Sequence, residues 1–367
     1  MADTELVAKS NENGMWNLLQ TTTPTSNTEP ASQTGLKIPI EKDVSGGFSY
    51  IRRTLRTQGI PRKTRDIIIK SWKASTQKQY EPYIRAWLFH CRGKDNPTNP
   101  NIKTVLTFLT KMYDRGLRYS AMDTVRSAIS VFVKICGNMD LNSNETITRF
   151  MKGVFNDRPT LPRYQTTWDV QIVLDYLKQL TDTTLLQLSC KLCMLFLLLS
   201  AQRCQTLHLV DLSDVVISNE RVLIYPNHLL KQSKPGSHLD VIYLSKHSWI
   251  MKICALCQYS KNTLNAQKNI RTDKKLLVRT IKPHKAVSKS TIARWVKLVL
   301  LKSGIDKSFK PHSTRAAATS LAKLKGVPLQ TVIKTAGWAN ANMFAKFYNK
   351  PIVPKAKTLQ KAILEGN

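Results

Sequence analysis

The fold class of this chain is indicated first by one apolar stretch, Leu185-Leu-Gln-Leu-Ser-Cys-Lys-Leu-Cys-Met-Leu-Phe-Leu-Leu-Leu199. Apolar side chains would cover most faces of a helix over these residues, so the pattern predicts a helix that is buried on most sides. Its uninterrupted apolar part, 192–199, is far shorter than the roughly 18–20 residues that cross a bilayer. The N-terminus also lacks the basic and apolar segments of a secretion signal. We therefore expect an intracellular globular protein without a membrane span.

Composition and periodicity divide the 367 residues into five segments. Thr, Ser, Asn, Gly and Pro are frequent up to residue 60, whereas beyond it apolar residues such as Tyr80, Ile84 and Trp87 recur at helical spacing. Two prolines in the stretch 157–163 mark a boundary. We predict a disordered or mobile arm over 1–60, a helical domain over 61–156, a linker over 157–164, a second domain over 165–352 and a tail over 353–367.

The second domain contains one pattern that is typical of strands. Arg221-Val-Leu-Ile-Tyr225 and Leu239-Asp-Val-Ile-Tyr-Leu244 are rich in β-branched and aromatic residues and flank the polar turn Gln232-Ser-Lys-Pro-Gly236. This arrangement predicts a β-hairpin among helices. The predicted fold is therefore mainly α, with one small antiparallel sheet in the second domain.

Net charge indicates the class of partner. The chain has 56 Lys and Arg against 24 Asp and Glu, a formal charge of +32. The excess is zero over 1–60 (six bases, six acids), +10 over 61–160 (18 and 8) and +22 over 161–367 (32 and 10). Because such a charge repels itself in a compact chain unless a polyanion offsets it, nucleic acid is the expected partner. A basic surface kept for solubility and a ribosomal-type binder are the alternatives.

The cysteines indicate a reducing compartment. Their number is seven, which is odd, and they are scattered through apolar segments, so reduced thiols are expected rather than a disulfide framework. Two Cys-x-x-Cys pairs, Cys190/Cys193 and Cys254/Cys257, have a spacing found in zinc sites. The first pair lies inside the apolar helix, where core packing is the simpler interpretation. We expect neither a metal nor another cofactor.

Several residues together could carry out transesterification of DNA without a metal. That reaction needs a nucleophile, a group that takes its proton and positive charge around the phosphorus. His312 and Arg315 are three residues apart, so one helical face can present both to one phosphate. The candidates are Arg203, His312, Arg315, Trp338 and Tyr348. Taken singly, each of these residues has an ordinary structural interpretation, as a helix-end arginine, a surface histidine or a core aromatic residue.

In order and approximate spacing these five residues resemble the Arg…His-x-x-Arg…His/Trp…Tyr signature of tyrosine recombinases, the phage integrase family. The phrases Ala336-Gly-Trp and Phe344-Ala-Lys-Phe-Tyr-Asn-Lys-Pro further resemble enzymes of DIRS-like and Crypton mobile elements in eukaryotes. The resemblance covers about residues 65–352. It implies an N-terminal helical core-binding domain of the SAM-like kind and an α+β catalytic domain of mostly helices with a small antiparallel sheet.

The resemblance also implies a role for each residue. Arg203 and Arg315 would clamp the scissile phosphate while His312 relays the proton of Tyr348, the nucleophile. Trp338 would replace a second histidine, either donating its indole N–H to a phosphate oxygen or packing the site. The product would be a 3′-phosphotyrosyl link, which conserves the energy of the broken bond, so neither ATP nor a metal is implied.

Two further positions bear on this resemblance. The family uses a lysine of the hairpin turn to protonate the 5′ oxygen, and Lys234 lies in that turn, with Lys231 as the alternative. Many members carry Glu three residues after the first arginine, where this chain has Thr206. The departure leaves open how Arg203 is oriented.

The resemblance assigns the first helical domain to DNA, closing a C-shaped clamp opposite the catalytic domain. Phosphate contacts would dominate its affinity, which would therefore fall steeply with salt. A solvated helix face is the alternative for these basic residues. The candidates are Lys63, Arg65, Lys70, Lys73, Lys78, Arg118 and Arg126.

Three functions remain open from the sequence. The first is a site-specific recombinase or integrase of a mobile element, acting as a homo-tetramer on two synapsed duplex DNA sites. The second is a DNA-binding protein derived from such an enzyme without its activity, and the third is topoisomerase-like relaxation. The tail 353–367 either docks on a neighbouring protomer or frays. We expect a nuclear protein if the host is eukaryotic and a cytoplasmic one otherwise.

Overall fold

A computed structural model describes residues 46–180, 184–218, 221–230, 233, 240–245 and 273–353. The chain divides into two compact units on either side of the bond between Leu161 and Pro162. Helices dominate both units, and one small antiparallel sheet lies in the second, which confirms the predicted fold class. Among the described residues, no helix combines the length and the apolar character that crossing a bilayer requires.

The first unit is a bundle of helices around one apolar core. Its central helices pack Trp87 and Phe108 edge to face, with ring centroids 5.3 Å apart, and the Trp87 indole donates to the carbonyl of Pro97. In chain order the helices are α1 (Gly47–Thr57), α2 (Arg62–Lys70), α3 (Ala74–Cys91), α4 (Ile102–Asp114), α5 (Tyr119–Gly137) and α6 (Glu145–Asp157).

Helix α1 corrects the predicted arm over 1–60. Phe48, Ile51 and Leu55 lie on one face of α1 and are buried in the bundle core, because their spacing of three and four residues gives a short apolar stripe. The Glu81 carboxylate accepts the amide protons of Gly47 and Phe48 and so caps the first turn. The part of the arm over residues 1–45 lies outside the described residues.

The second unit contains the long apolar helix and the sheet. Its helices are α7 (Val170–Gln179), α8 (Leu185–Ser200), α9 (Cys204–Leu209), α10 (Lys289–Lys302), α11 (Ser313–Leu324), α12 (Leu329–Ala336) and α13 (Ala341–Phe347). The strands are β1 (Val215–Ile217), β2 (Arg221–Ile224) and β3 (Ile242–Ser245), preceded by a short 3-10 helix over Leu212–Asp214.

Helix α8 is the centre of the second core, as its sequence predicts. It begins with a capping box, in which Thr184 and Gln187 satisfy each other's backbone amides. Nearly all its side chains are buried, including both Cys190 and Cys193. It ends at Ser200, and the next residue, Ala201, has the left-handed conformation (φ 50°) that reverses the chain toward Arg203.

The sheet confirms the predicted antiparallel pairing and adds one strand. Strand β2 pairs with β3 in the register Val222 with Leu244 and Ile224 with Ile242. Strand β1 pairs with the other edge of β2 and was not predicted, since three residues are too few for a periodic pattern. Of the predicted polar turn over 232–236, the structure describes Ser233 alone.

Candidate functional site

The predicted site residues come from three places in the second unit. Arg203 occupies the N-cap position of α9, just after the reversal that follows α8. His312 stands at the N-terminus of α11, and Arg315 lies within its first turn. Trp338 follows α12, and Tyr348 ends α13. The fold therefore gathers side chains that are up to 145 positions apart in the chain, from 203 to 348.

His312 and Tyr348 are in direct contact. The Nε2 atom of His312 lies 3.1 Å from the phenolic oxygen of Tyr348, and the two rings meet edge to face with centroids 5.8 Å apart. A neutral imidazole with its proton on the other nitrogen would accept the phenolic proton at this position. His312 is exposed and Tyr348 is half-buried, so the pair lies at the surface.

Arg315 lies beneath this pair and is fully buried. Its guanidinium donates to the carbonyl of Ala201 (2.9 Å) and to the carbonyl of Ala336 (2.5 Å). Burial, and then the charge of nearby Arg203, lower the pKa of Arg315 to about 9. The guanidinium is still positively charged at neutral pH, so the structure keeps a cation under the Tyr348 ring, 5.4 Å from the ring centre.

Trp338 completes the aromatic wall of the site. Its ring stacks on Tyr348 with centroids 4.6 Å apart, and the Arg315 guanidinium lies 4.6 Å from the Trp338 ring centre. Two buried donors in this group, Nε of Arg315 and Nε1 of Trp338, have no hydrogen-bond partner among the described residues. Because buried donors are rarely left unpaired, two of them beside a tyrosine suit an anion that binds there.

This arrangement can lower the barrier to attack by a phenol on a phosphoryl group. His312 is placed to take the proton, and the cationic field of Arg203 and Arg315 would stabilise negative charge on the phosphorus oxygens. In the described conformation Arg315 has no exposed surface, so an anion would reach it only after the side chains that cover it move.

Residues 170–352, which include all five of these side chains, match the model of the phage integrase family. Residues 170–352 are a phage integrase family domain. The fold of this chain is similar to that of the Tn1549 transposon integrase in complex with transposon right end DNA, at 14% identity and a TM-score of 0.56, over 88% of this chain and 98% of that chain.

A second similar structure is the XerH site-specific recombinase bound to its palindromic difH substrate. The identity is 13% and the TM-score 0.55, over 83% of this chain and 93% of that chain. At such identities the likeness shows the tyrosine recombinase fold alone. No curated protein matches the chain.

Thr206 of the phage integrase domain, at the position where many members of the family carry glutamate, donates its amide proton to the carbonyl of Arg203 (2.9 Å). Its hydroxyl donates to the side-chain oxygen of Gln202 (3.3 Å), whose amide nitrogen donates to the carbonyl of Thr335 (2.6 Å). Both Gln202 and Thr206 are buried. These two residues therefore brace the loop that carries Arg203 against the end of α12.

Ser320 is a residue of this domain that the sequence did not single out. Its hydroxyl donates to the carbonyl of Tyr348 (2.8 Å) and accepts the amide proton of Lys350 (3.0 Å). Ser320 thus fixes the backbone on both sides of Asn349. A serine in the middle of α11 has no distinguishing sequence pattern, so only its position in the fold shows this contact.

The remaining predicted positions lie elsewhere or outside the described residues. Lys234, Lys231 and the pair Cys254/Cys257 are outside them. Burial raises the pKa of the Cys190 and Cys193 thiols within the core of α8. Separately, ligand atoms of Asp211, Asp214 and His228 lie within 4.8 Å of one another, and the Lys275 ammonium bonds Asp211 at 2.8 Å in the same cluster.

The predicted DNA-binding residues all lie in the first unit, on α2, α3, α5 and the residues that cap them. Arg126 pairs with Asp123 at 2.8 Å, and Arg65 donates to the carbonyl of Arg52, so both have contacts within the unit. Five of the seven have exposed side chains, and they are Lys63, Lys70, Lys73, Lys78 and Arg118. The role of all seven in DNA binding stays a prediction.

Proposed function

We propose that this protein is an active tyrosine recombinase, which cuts and rejoins DNA strands with Tyr348 as its nucleophile. The observation that carries the proposal is the 3.1 Å contact between His312 Nε2 and the Tyr348 hydroxyl above a buried arginine. In the proposed step, the phenolic oxygen attacks the scissile phosphorus while its proton passes to His312. A 3′-phosphotyrosyl bond forms, and the 5′ oxygen leaves with a proton from an acid.

Duplex DNA is the proposed substrate. The net charge of +32 supports it, because each phosphate that a basic side chain neutralises releases counterions. The Tn1549 integrase and XerH structures, which share the fold, were each determined with DNA. The two unpaired donors of Arg315 and Trp338 suit the non-bridging oxygens of the scissile phosphate. Lys234, or Lys231, is proposed as the acid.

The test is formation of a covalent protein–DNA adduct. Duplexes selected by the full chain from fragmented host DNA would be nicked near the bound site, so that the cleaved end diffuses away, and incubated in EDTA. The wild type should give an adduct that survives denaturation, whereas Tyr348→Phe should give none and His312→Asn much less. Tyr225→Phe is the matched control, because it removes the hydroxyl of an exposed tyrosine elsewhere in the same domain and should react like the wild type.

A DNA-binding protein without activity is the second candidate, and one observation favours it. Arg315 is sealed beneath Tyr348 and already donates to two backbone carbonyls, which is also how a purely structural arginine is satisfied. If the wild type binds the selected DNA tightly and forms no adduct, this second function replaces the first. Relaxation of a supercoiled plasmid by single protomers would instead indicate topoisomerase-like activity.

The origin, assembly and location of the protein are part of the same proposal. The phrases around Trp338 and Tyr348 support a mobile element of the DIRS-like or Crypton kind, which sequencing of the flanking DNA and of excised circles would test. We propose a homo-tetramer on two synapsed sites, to be tested by the mass of the complex with DNA. In a eukaryotic host the protein would act in the nucleus, which imaging of a tagged chain would show.

A further inference from the structure

The chain that enters the second unit contacts the candidate site on two sides. The segment Tyr164–Trp168 precedes α7 and lies partly in the predicted linker. It touches the loop before His312 and the chain that follows Tyr348. Neither contact was predicted from the sequence, and the chemistry described above does not use either of them.

The first contact is with the loop 308–313, which leads into α11. The Tyr164 hydroxyl donates to the carbonyl of Ser308 and accepts the amide proton of Lys310, both at 3.0 Å. The Tyr164 ring stacks on Phe309 with centroids 4.9 Å apart. The indole of Trp168 donates to the hydroxyl of Ser313 at 2.9 Å, and both side chains are buried. His312 therefore lies between two anchored residues, Lys310 and Ser313.

The second contact is with the chain immediately after the nucleophile. Thr167 donates its amide proton to the carbonyl of Pro351 (2.8 Å) and accepts the amide proton of Val353 (2.9 Å), forming a parallel bridge with Ile352. The hydroxyl of Thr167 is buried and has no hydrogen-bond partner among the described residues. The backbone of Thr167, and not its side chain, therefore bonds the chain that follows Tyr348.

We infer that the segment Tyr164–Trp168 is a positioning element, which keeps His312 and Tyr348 within hydrogen-bond distance by anchoring the chain beside each of them. The inference rests on the proposed function for its catalytic consequence. Its geometric part can be tested without catalysis, because it concerns the 3.1 Å contact between His312 and Tyr348 in the protein alone. These two side chains lie 36 residues apart, at the ends of separate helices. A displacement of either helix end by about 1 Å would break that contact.

Trp168→Phe is the decisive variant, since it keeps an aromatic ring and removes the donor to Ser313 together with the second ring of the indole. Thr167→Val is the matched control next to it, because it removes a hydroxyl that has no partner among the described residues and leaves both backbone bonds in place. Tyr164→Phe removes the two bonds to the loop while keeping the stacking on Phe309. Circular dichroism would first show that each variant is folded.

The first measurement needs no DNA. In protein labelled with ¹⁵N at histidine, the Nε2 signal of His312, assigned with His312→Asn, reports its hydrogen bond at a fixed pH. In the otherwise wild-type chain, Tyr348→Phe should displace the chemical shift of that signal. In a chain that already carries Trp168→Phe, the same substitution should displace the chemical shift by roughly half as much or less. In a chain that carries Thr167→Val, the displacement should be as large as in the wild type. An equal displacement in Trp168→Phe and wild type, or no displacement in the wild type, would overturn the inference.

The second measurement is the rate of adduct formation on the nicked duplex. Loss of one neutral hydrogen bond should slow the rate roughly three- to tenfold in Trp168→Phe, with DNA affinity unchanged. Thr167→Val should react at the wild-type rate. If the wild type forms no adduct while the ¹⁵N displacement still depends on Trp168, the proposed activity fails and the positioning element stands. A wild-type rate in Trp168→Phe would contradict the catalytic consequence.

Discussion

Arg315 donates a hydrogen bond of 2.9 Å to the carbonyl of Ala201, the left-handed residue that follows the apolar helix α8. The same guanidinium bonds the carbonyl of Ala336 at the end of α12. A buried arginine therefore joins the ends of two helices directly beneath the candidate nucleophile. Stability and the proposed chemistry consequently depend on the same side chain.

Arg315→Lys should destabilise the second unit although it keeps the charge. An ammonium lacks the planar fork that reaches both carbonyls, so one buried acceptor loses its partner, and the free energy of unfolding should fall by about 1–3 kcal/mol. Urea unfolding followed by circular dichroism would measure this. Lys346→Arg on the exposed face of α13 serves as the control and should change stability by less than about 0.5 kcal/mol. Equal stabilities for the two variants would contradict a bridging role.

Ala201→Gly should stabilise the protein, which is unusual for a change to glycine. A non-glycine residue at φ 50° is strained, and glycine removes that strain, so a gain of about 0.5–1 kcal/mol is expected after its larger unfolded-state entropy is included. Ala318→Gly is the matched control, because Ala318 lies inside α11 and should lose about 1 kcal/mol. The thermal midpoints of the two variants should move in opposite directions.

Trp338→Phe tests the unpaired indole donor. Phenylalanine can keep the stack on Tyr348 but has no N–H, so the adduct should form roughly 10- to 100-fold more slowly if that donor binds the phosphate. Trp338→His restores a donor and should recover part of the rate. A mobility-shift assay would confirm that DNA affinity is retained. An unchanged rate in Trp338→Phe would assign Trp338 to packing alone.

Gly137→Ala and Gly153→Ala should have opposite effects in the first unit. A Cβ atom on Gly137 would stand 1.7 Å from the carbonyl oxygen of Thr98, so the backbones must separate and at least about 3 kcal/mol should be lost. A Cβ on Gly153, inside α6, meets nothing within 4 Å, and alanine should gain about 0.5–1 kcal/mol. Urea midpoints of both variants would check the pair. A stable Gly137→Ala would show that the two segments do not approach so closely.

The first unit should lose stability in mild acid through His90. Burial, with the charges of Lys111 and Lys94 as further causes, lowers the pKa of His90 below its ordinary value of 6.5. The unfolded chain therefore binds a proton on His90 more readily than the folded chain does. The contribution of neutral His90 to the free energy of unfolding is complete above about pH 6.5 and decreases as the pH falls below that value. Unfolding free energies measured between about pH 7 and pH 5 should fall less steeply in His90→Gln. Parallel slopes would contradict the prediction.

Local patterns were sufficient for much of the fold. The apolar repeat over 185–199 predicted a buried helix, and α8 occupies nearly that range, because a helix that is apolar on most faces is stable when a core covers those faces. The pairing of β2 with β3 followed likewise from two β-rich runs and a turn. Helix α1 was missed, since its apolar stripe of three residues lies among polar residues and is stabilised by packing and by Glu81 from α3.

The candidate site, like the fold, could be predicted from the sequence only in part. Residue type and order along the chain are properties of the sequence, and they suffice to name Arg203, His312, Arg315, Trp338 and Tyr348 as candidates and to indicate a polyanionic partner from the charge. The contacts among them depend on which distant segments meet. Every residue has a carbonyl, so no pattern could indicate that Arg315 bonds those of Ala201 and Ala336, or that Thr167 ties the chain after Tyr348. Those partners are chosen by the packing of α8, α11 and α12, because a buried donor bonds whichever acceptor the fold brings within reach.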